Sequence, residues 1–414
     1  MPPLWQRITV IILIFVSIIL MGIILYWFFW RPILGPAPIK NNSIVQQLIT
    51  GGDQTGRTTS TIGTGQLPID TEPTGQPASQ TPTSPEVTGR LSESDLSALV
   101  KESTRFSSIT KGGNVVYYNP DDGKFYQSDI NGNISELSPK TFFGANNAIF
   151  DNNGKKAIIE FPDSSNIVYD FDAEKQYTLP KHWEDFGFSP TGEEIIFKNI
   201  ANDIENRFLV TAKYDGSSAQ IIESIGVNAN KVFPNWSPNG QVVATYHEGL
   251  DSSRSEIFLI GQNKENFKSL TVNGRDFRGL WSPTNEKILY SVYDVNDGYK
   301  PQLWISSALG DNVGENRQKI NLQTWVDKCT FAGENYAFCS APQTLAYGSG
   351  LEPQINNDAR DEIWAIDLKT GQTQLLLTPN TVTKIQSLMF NENNPNELLI
   401  SSANSGWIYK LKIQ

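Results

Sequence analysis

This chain is poor in the residues that carry most enzyme chemistry: its 414 residues include two histidines, two cysteines and three methionines. A zinc centre needs four ligands, and the histidines, His182 and His247, stand far from each other and from both cysteines. There is no Gly-x-Ser-x-Gly elbow, no His-Glu-x-x-His, no dinucleotide fingerprint and no glycine loop that would cradle phosphate after a strand. His247 beside Glu248, and His182 before Trp183, read as structural histidines and not as general bases. Turns such as Asp294-Val295-Asn296-Asp297 and Asp129 to Asn133 lack EF-hand spacing and a closing glutamate, so they read as turn chemistry. No catalytic residue, cofactor or metal is expected. Positive charge is scarce too, with 33 Lys and Arg against 44 Asp and Glu. The net charge is −11, and residues 1–40 hold three basic and no acidic side chains, which leaves −11 − 3 = −14 on residues 41–414. With no basic stripe to offset it, such a surface excludes nucleic acid and anionic lipid as ligands.

What the chain does have is a repeated word. Phe188-Ser189-Pro190-Thr191-Gly192, Trp236-Ser237-Pro238-Asn239-Gly240 and Trp281-Ser282-Pro283-Thr284-Asn285 are spaced by 48 and 45 residues. Each ends a short apolar stretch and precedes a β-rich run, such as Ile195-Ile196-Phe197 or Ile288-Leu289-Tyr290. Proline presets φ, glycine or asparagine accepts φ > 0, and serine bonds the local backbone, so the word is a hairpin turn with a mechanism. Weaker copies at Phe106 to Gly113, Phe150, Phe331 and Phe390 bring the count to seven. A period in this range with four short strands per unit predicts an all-β, seven-bladed β-propeller of four-stranded antiparallel blades over residues 105–414. The last copy lacks a fourth strand. Residues 91–104 either supply it or form a short helix with Ser92 as N-cap and Asp95 three residues on. Trp304, Trp364 and Trp407 fall at equivalent places, assigned to the second strands of three blades, and are expected in the core between blades.

The words at 188–197, 236–245 and 281–290 resemble the TolB-type, WD-repeat-like propeller repeat, whose hairpin reads aromatic-Ser-Pro-Asp-Gly before an apolar strand. The Gly-His and Trp-Asp marks of true WD repeats are missing. The resemblance implies a fold and little about activity, because propellers host unrelated functions. The TolB family's separate N-terminal domain has no counterpart here, so its lipoprotein partner is not implied.

Residues 8–30 form 23 uncharged positions ending in Tyr26-Trp27-Phe28-Phe29-Trp30, long enough for one transmembrane helix and without a signal-peptide cleavage site. Residues 1–7 are then the cytoplasmic N-terminus, and the bilayer is a partner through residues 8–30. Residues 31–90, rich in Pro, Thr, Ser and Gly, read as a disordered linker that holds the propeller outside the cell membrane. Charge alone does not orient the helix, since Arg7 and the amino terminus face Arg31 and Lys40. The cysteines add to the case. If the sixth hairpin is centred on Glu334, Cys329 and Cys339 face each other across it and can form a disulfide, which implies an oxidising compartment.

The repeat is broken most clearly by some 20 residues of the sixth blade, Ala341 to Asp361, in which Tyr347-Gly348-Ser349-Gly350 reads as a flexible word. Tyr347, Leu351 and Arg360 are the partner-binding candidates. The expected function is a membrane-tethered, non-catalytic module that binds a protein or glycan at the cell envelope. The alternatives are a hydrolase or lyase with its site at the central mouth and a structural subunit of an envelope assembly. Partner identity and oligomeric state are not encoded in any motif.

Overall fold

A computed structural model describes Met21 and residues 90–413. The expectations for the cytoplasmic N-terminus, the membrane helix and nearly all of the linker lie outside the described residues. Among the described residues no helix is long and apolar enough to cross a membrane.

Seven four-stranded antiparallel sheets follow one another along the chain, at residues 105–136, 147–179, 183–224, 232–273, 275–319, 329–377 and 385–412. We number these blades one to seven. First strands of neighbouring blades touch one another, as in blades one and two, two and three, three and four, six and seven, and seven and one, so these strands line the axis of a closed ring. The second strands are sandwiched between blades and are buried along almost their whole length, as in Val115–Asn119 and Lys156–Glu160. Burial on both faces explains why they read as continuous apolar runs instead of alternating ones. The core is correspondingly divided into seven clusters, one at each blade-to-blade contact.

The repeated words perform the turn chemistry their residues suggest. Ser189, Ser237 and Ser282 each use Oγ to accept the backbone N–H five residues on, at 3.1, 2.9 and 3.0 Å. Asp151 replaces serine in blade two, accepting the Lys156 N–H at 2.9 Å. Gly192, Gly240 and Asn285 take φ of 74°, 75° and 66°. One interaction was not visible in the words themselves. Lys156 Nζ donates to the Gly192 carbonyl of the next blade's turn at 3.2 Å, and Lys287 Nζ donates to the Glu334 carbonyl at 3.0 Å. A lysine at the start of a second strand therefore latches its blade to the following one.

Ring closure uses both readings of residues 91–104. Glu93–Asp95 form one 3-10 turn, capped by Ser92, whose N–H and Oγ donate to Asp95 Oδ2 at 2.8 Å. Leu96–Val100 then pairs with Ile408–Lys412 as the outer strand of blade seven. The seventh cluster unites Val100 with Val115 and Tyr117 of blade one and Leu399 and Ile408 of blade seven. The tryptophans belong to the second strand after each turn, which is the third strand of the blade once the strand before the turn is counted. Trp304 and Trp364 lie in third strands, and Trp407 directly precedes one. They are half-buried there against the clusters, because third strands stand further from the axis than the sandwiched second strands.

Candidate functional site

Strand direction gives the ring two unlike faces. One carries the connections from second to third strands and from each outer strand to the next blade, and we refer to it as the loop face. The turn face carries the Ser-Pro words and the connections from third to outer strands. Large exposed apolar side chains borne on connections fall almost entirely on the loop face: Phe143, Ile204, Val227, Leu250, Val295, Tyr347, Leu351 and Ile355. Leu309 alone among the described residues occupies a connection on the turn face. Tyr347, Leu351 and Ile355 share one connection, and exposed apolar side chains gathered in this way mark a surface that meets another molecule.

The long connection of blade six carries three of these side chains, and we refer to it as the crest. Its glycines do not make it flexible, as the sequence suggested. The Gly348 N–H donates to the Gly298 carbonyl at 2.9 Å and the Gly350 N–H to the Tyr299 carbonyl at 2.7 Å, which stitches it to the neighbouring connection of blade five. A Cβ on Gly350 would stand 2.6 Å from that of Tyr293, so glycine is what permits the approach. Inside the loop, Asn356 Oδ1 accepts the Ala346 N–H at 3.0 Å, and Pro353–Asn356 makes a 3-10 turn.

The three partner-binding candidates sit differently on this scaffold. Tyr347 packs its ring edge against Tyr299 at 5.6 Å yet keeps 71% of its surface exposed. Leu351 is 55% exposed and Ile355, which the sequence reading passed over, 47%. Arg360 faces its own chain: its guanidinium donates to the Pro379 carbonyl and to Asn380 Oδ1, both at 3.1 Å. Glu93 of the closing segment accepts the Asn380 and Thr381 N–H groups at 2.9 Å, so Arg360 belongs to the support of the ring closure.

Below the crest lies a cavity of about 380 Å³ at the loop-face mouth of the ring, bounded by Arg278, Trp325, Lys328, Asn356, Asp361 and Lys384 among others. Arg278 pairs with Asp327 at 2.8 Å and Lys328 with Asp361 at 2.7 Å. The cations come from three blades and stand just ahead of the aromatic in successive copies: Arg278 before Trp281, Lys328 before Phe331, Lys384 before Phe390. Reading the chain for contiguous basic stretches missed them; aligning the repeats on the aromatic would have paired Arg278 with Lys328, each three residues ahead of it, but not Lys384, which stands six ahead. A second cavity, of about 370 Å³, occupies the turn-face end of the inner strands and includes Thr110, Trp281, Phe331 and Glu392. Burial, with the Glu334 charge nearby, pushes the Glu392 carboxyl above its ordinary range.

His247 does not face either cavity. Its ring stacks on Phe233 at 4.3 Å, meets the edge of Phe277 at 5.3 Å and places Nε2 2.9 Å from Thr245 Oγ1. Burial lowers its pKa to about 4. A histidine that charges more readily unfolded than folded binds extra protons in the unfolded state between about pH 6.5 and 4. Stability should therefore fall through that window by about 2–3 kcal/mol as pH drops. Urea unfolding at pH 7.5 and 4.5 checks this, and His247→Gln should flatten the dependence.

Cys329 and Cys339 are directly facing partners in their hairpin and form a disulfide, with S–S 2.10 Å and Cα atoms 4.0 Å apart. Both are buried. The bridge closes a short loop, for which chain entropy gives about 2–3 kcal/mol. The double substitution to alanine should lose that much in denaturant unfolding, and dithiothreitol should then cause no further loss. The carboxylate of Asp129 is taken up by its own turn, accepting the N–H groups of Asn131 and Asn133 at 2.9 Å.

No protein-family model matches this chain, and no curated protein does. Among solved structures it is similar to the β-propeller domain of Cps50 (Swd1) from Myceliophteria thermophila, at 10% identity and TM-score 0.51, over 77% of this chain and 100% of that one. A chain of the mitotic checkpoint complex is similar at 9% identity and TM-score 0.51, over 83% of this chain and 98% of that one. The tricorn protease matches at 10% identity and TM-score 0.49, over 79% of this chain and 35% of the protease chain. This chain thus spans about a third of the protease's length. At such identities the likeness is one of fold, and the chain is a β-propeller of WD-repeat-like architecture.

Proposed function

We propose that this chain is a non-catalytic binding module of TolB-type repeats, tethered to the cell membrane through residues 8–30 and exposed outside it, whose loop face captures a protein partner. The observation that carries the reading is the segregation of exposed apolar side chains to the loop face, with three of them on the long connection of blade six. Aliphatic side chains such as Leu351, Ile355, Leu250 and Val295 favour a protein over a glycan, since sugars lack the apolar area to cover them. The crest is rigidly stitched in place, which lowers the ordering cost of binding. The Cys329–Cys339 bridge supports an oxidising compartment.

Site-specific photo-crosslinking in intact cells tests the reading. A crosslinking side chain at position 347 should give a discrete adduct, and one at position 309 on the turn face should give none. Equal adducts from both positions, or none from 347, would remove the loop face as the binding surface. Orientation is tested separately with a periplasm-dependent reporter after Gln414, which should be active; activity only in a cytoplasmic reporter would reverse the topology.

A further inference from the structure

We propose that the cavity under the blade-six crest is a receptor site for a carboxylate borne by an acidic segment of the partner. The inference rests on the loop face being the binding surface and specifies what part of the partner enters it. Charge is the first observation. Arg278 is held by Asp276 at 3.0 Å as well as by Asp327, and Lys328 by Asp361, so three cations meet three carboxylates, 3 − 3 = 0, and Lys384 is the cation left over. All three carboxylates are committed: Asp276 and Asp327 to Arg278, and Asp361 to Lys328 and to the Ile385 N–H at 2.8 Å. Lys384 has no salt-bridge partner among the described residues.

Unspent donors are the second observation. The indole N–H of Trp325, a residue only 8% exposed, has no acceptor among the described residues, and neither does the amide nitrogen of Asn356. Both residues border the cavity. An indole nitrogen only donates, and a donor buried without an acceptor is costly. A carboxylate supplies a countercharge to Lys384, whereas a neutral ligand would leave the lysine uncompensated; the two nitrogens are covered by the protein, so they reach the ligand only when the Trp325 and Asn356 side chains turn toward it. The volume of about 380 Å³ admits an aspartate or glutamate side chain or a chain terminus. A peptide is favoured over an acidic sugar because Asn356 is carried by the same loop as Leu351 and Ile355, so a ligand carboxylate here is flanked by aliphatic surface.

The test uses the full chain in detergent and ligand-observed NMR titration. The probes are N-acetyl-glutamic acid α-amide, N-acetyl-alanine, N-acetyl-glutamine α-amide and digalacturonate. At least one of the first two should bind, the glutamine amide about tenfold more weakly or not at all, and the stronger of the two shows whether a side chain or a chain terminus is preferred. Lys384→Met should weaken the carboxylate probe about tenfold and Lys384→Arg should restore it, with thermal midpoints measured alongside to exclude unfolding. Equal binding of the glutamine amide, unchanged affinity in Lys384→Met, or binding of digalacturonate alone would each overturn the proposal. Leu309→Ser, on the opposite face, should leave the titration unaltered. Failure of the probes to bind while position 347 still crosslinks would remove this inference and leave the loop-face reading intact.

Discussion

Deletion of residues 91–100 should lower the thermal midpoint by about 10 °C or leave the protein aggregated. The deleted strand covers the edge formed by Ile408–Lys412, where Ile408 and Leu411 are fully buried. It also contributes Val100, fully buried in the cluster that joins blade seven to blade one. Exposing Val100's partners removes roughly 1.5–3 kcal/mol per large apolar side chain, and each lost ladder bond about 1 kcal/mol. The total, about 5 kcal/mol, corresponds to roughly 10 °C for a domain of this size. The exposed edge would in addition be free to pair between molecules. Differential scanning calorimetry provides the measurement, and a synthetic peptide of residues 90–104 added in trans should recover part of the loss. An unchanged midpoint would mean that the closing strand is dispensable and that the ring is held by the other six contacts.

The second large effect concerns capture. Replacing Tyr347, Leu351 and Ile355 together by serine should weaken partner binding about 100-fold or more, since exposed aromatic and aliphatic anchors of this kind are worth some 1–2 kcal/mol each when covered. Their exposure, 71%, 55% and 47%, keeps the cost to folding small. Deleting 345–355 should give the same loss of capture with the fold retained. Leu309→Ser on the turn face should change nothing. Retention of partner affinity in the triple variant, measured on material with an unaltered unfolding transition, would disconnect the crest from binding.

The parts legible in the sequence share a physical cause. The Ser-Pro words work through bonds that span five residues, as Ser237 to Val242 shows, so their chemistry is written within a short window. The blade count follows from repeating that window. The facing of Cys329 and Cys339 follows from hairpin symmetry, which needs only the position of one turn. Loop length marked the blade-six crest as a departure from the period, and two of its exposed side chains were picked out.

Other features escaped because they arise between blades. Arg360 looked like a surface cation, and the fold turns it toward Pro379 and Asn380. Gly348 and Gly350 looked like freedom, and they are the places where two loops come close enough to bond. The segment before the first blade could be read as helix or strand because its capping residues favour one and its closing role the other; the structure contains both in succession.

By itself, then, the sequence determined the unit: a hairpin turn, an apolar strand buried on both faces and a period that repeats them into a propeller. Only the tertiary structure decided how the units meet. Arg278, Lys328 and Lys384, about 50 residues apart in sequence, converge on one cavity because ring closure brings the same end of successive inner strands to one mouth. The segregation of apolar side chains to one face has the same origin. Strand direction sends every second-to-third connection to one side, and no local pattern in the chain records which side that is.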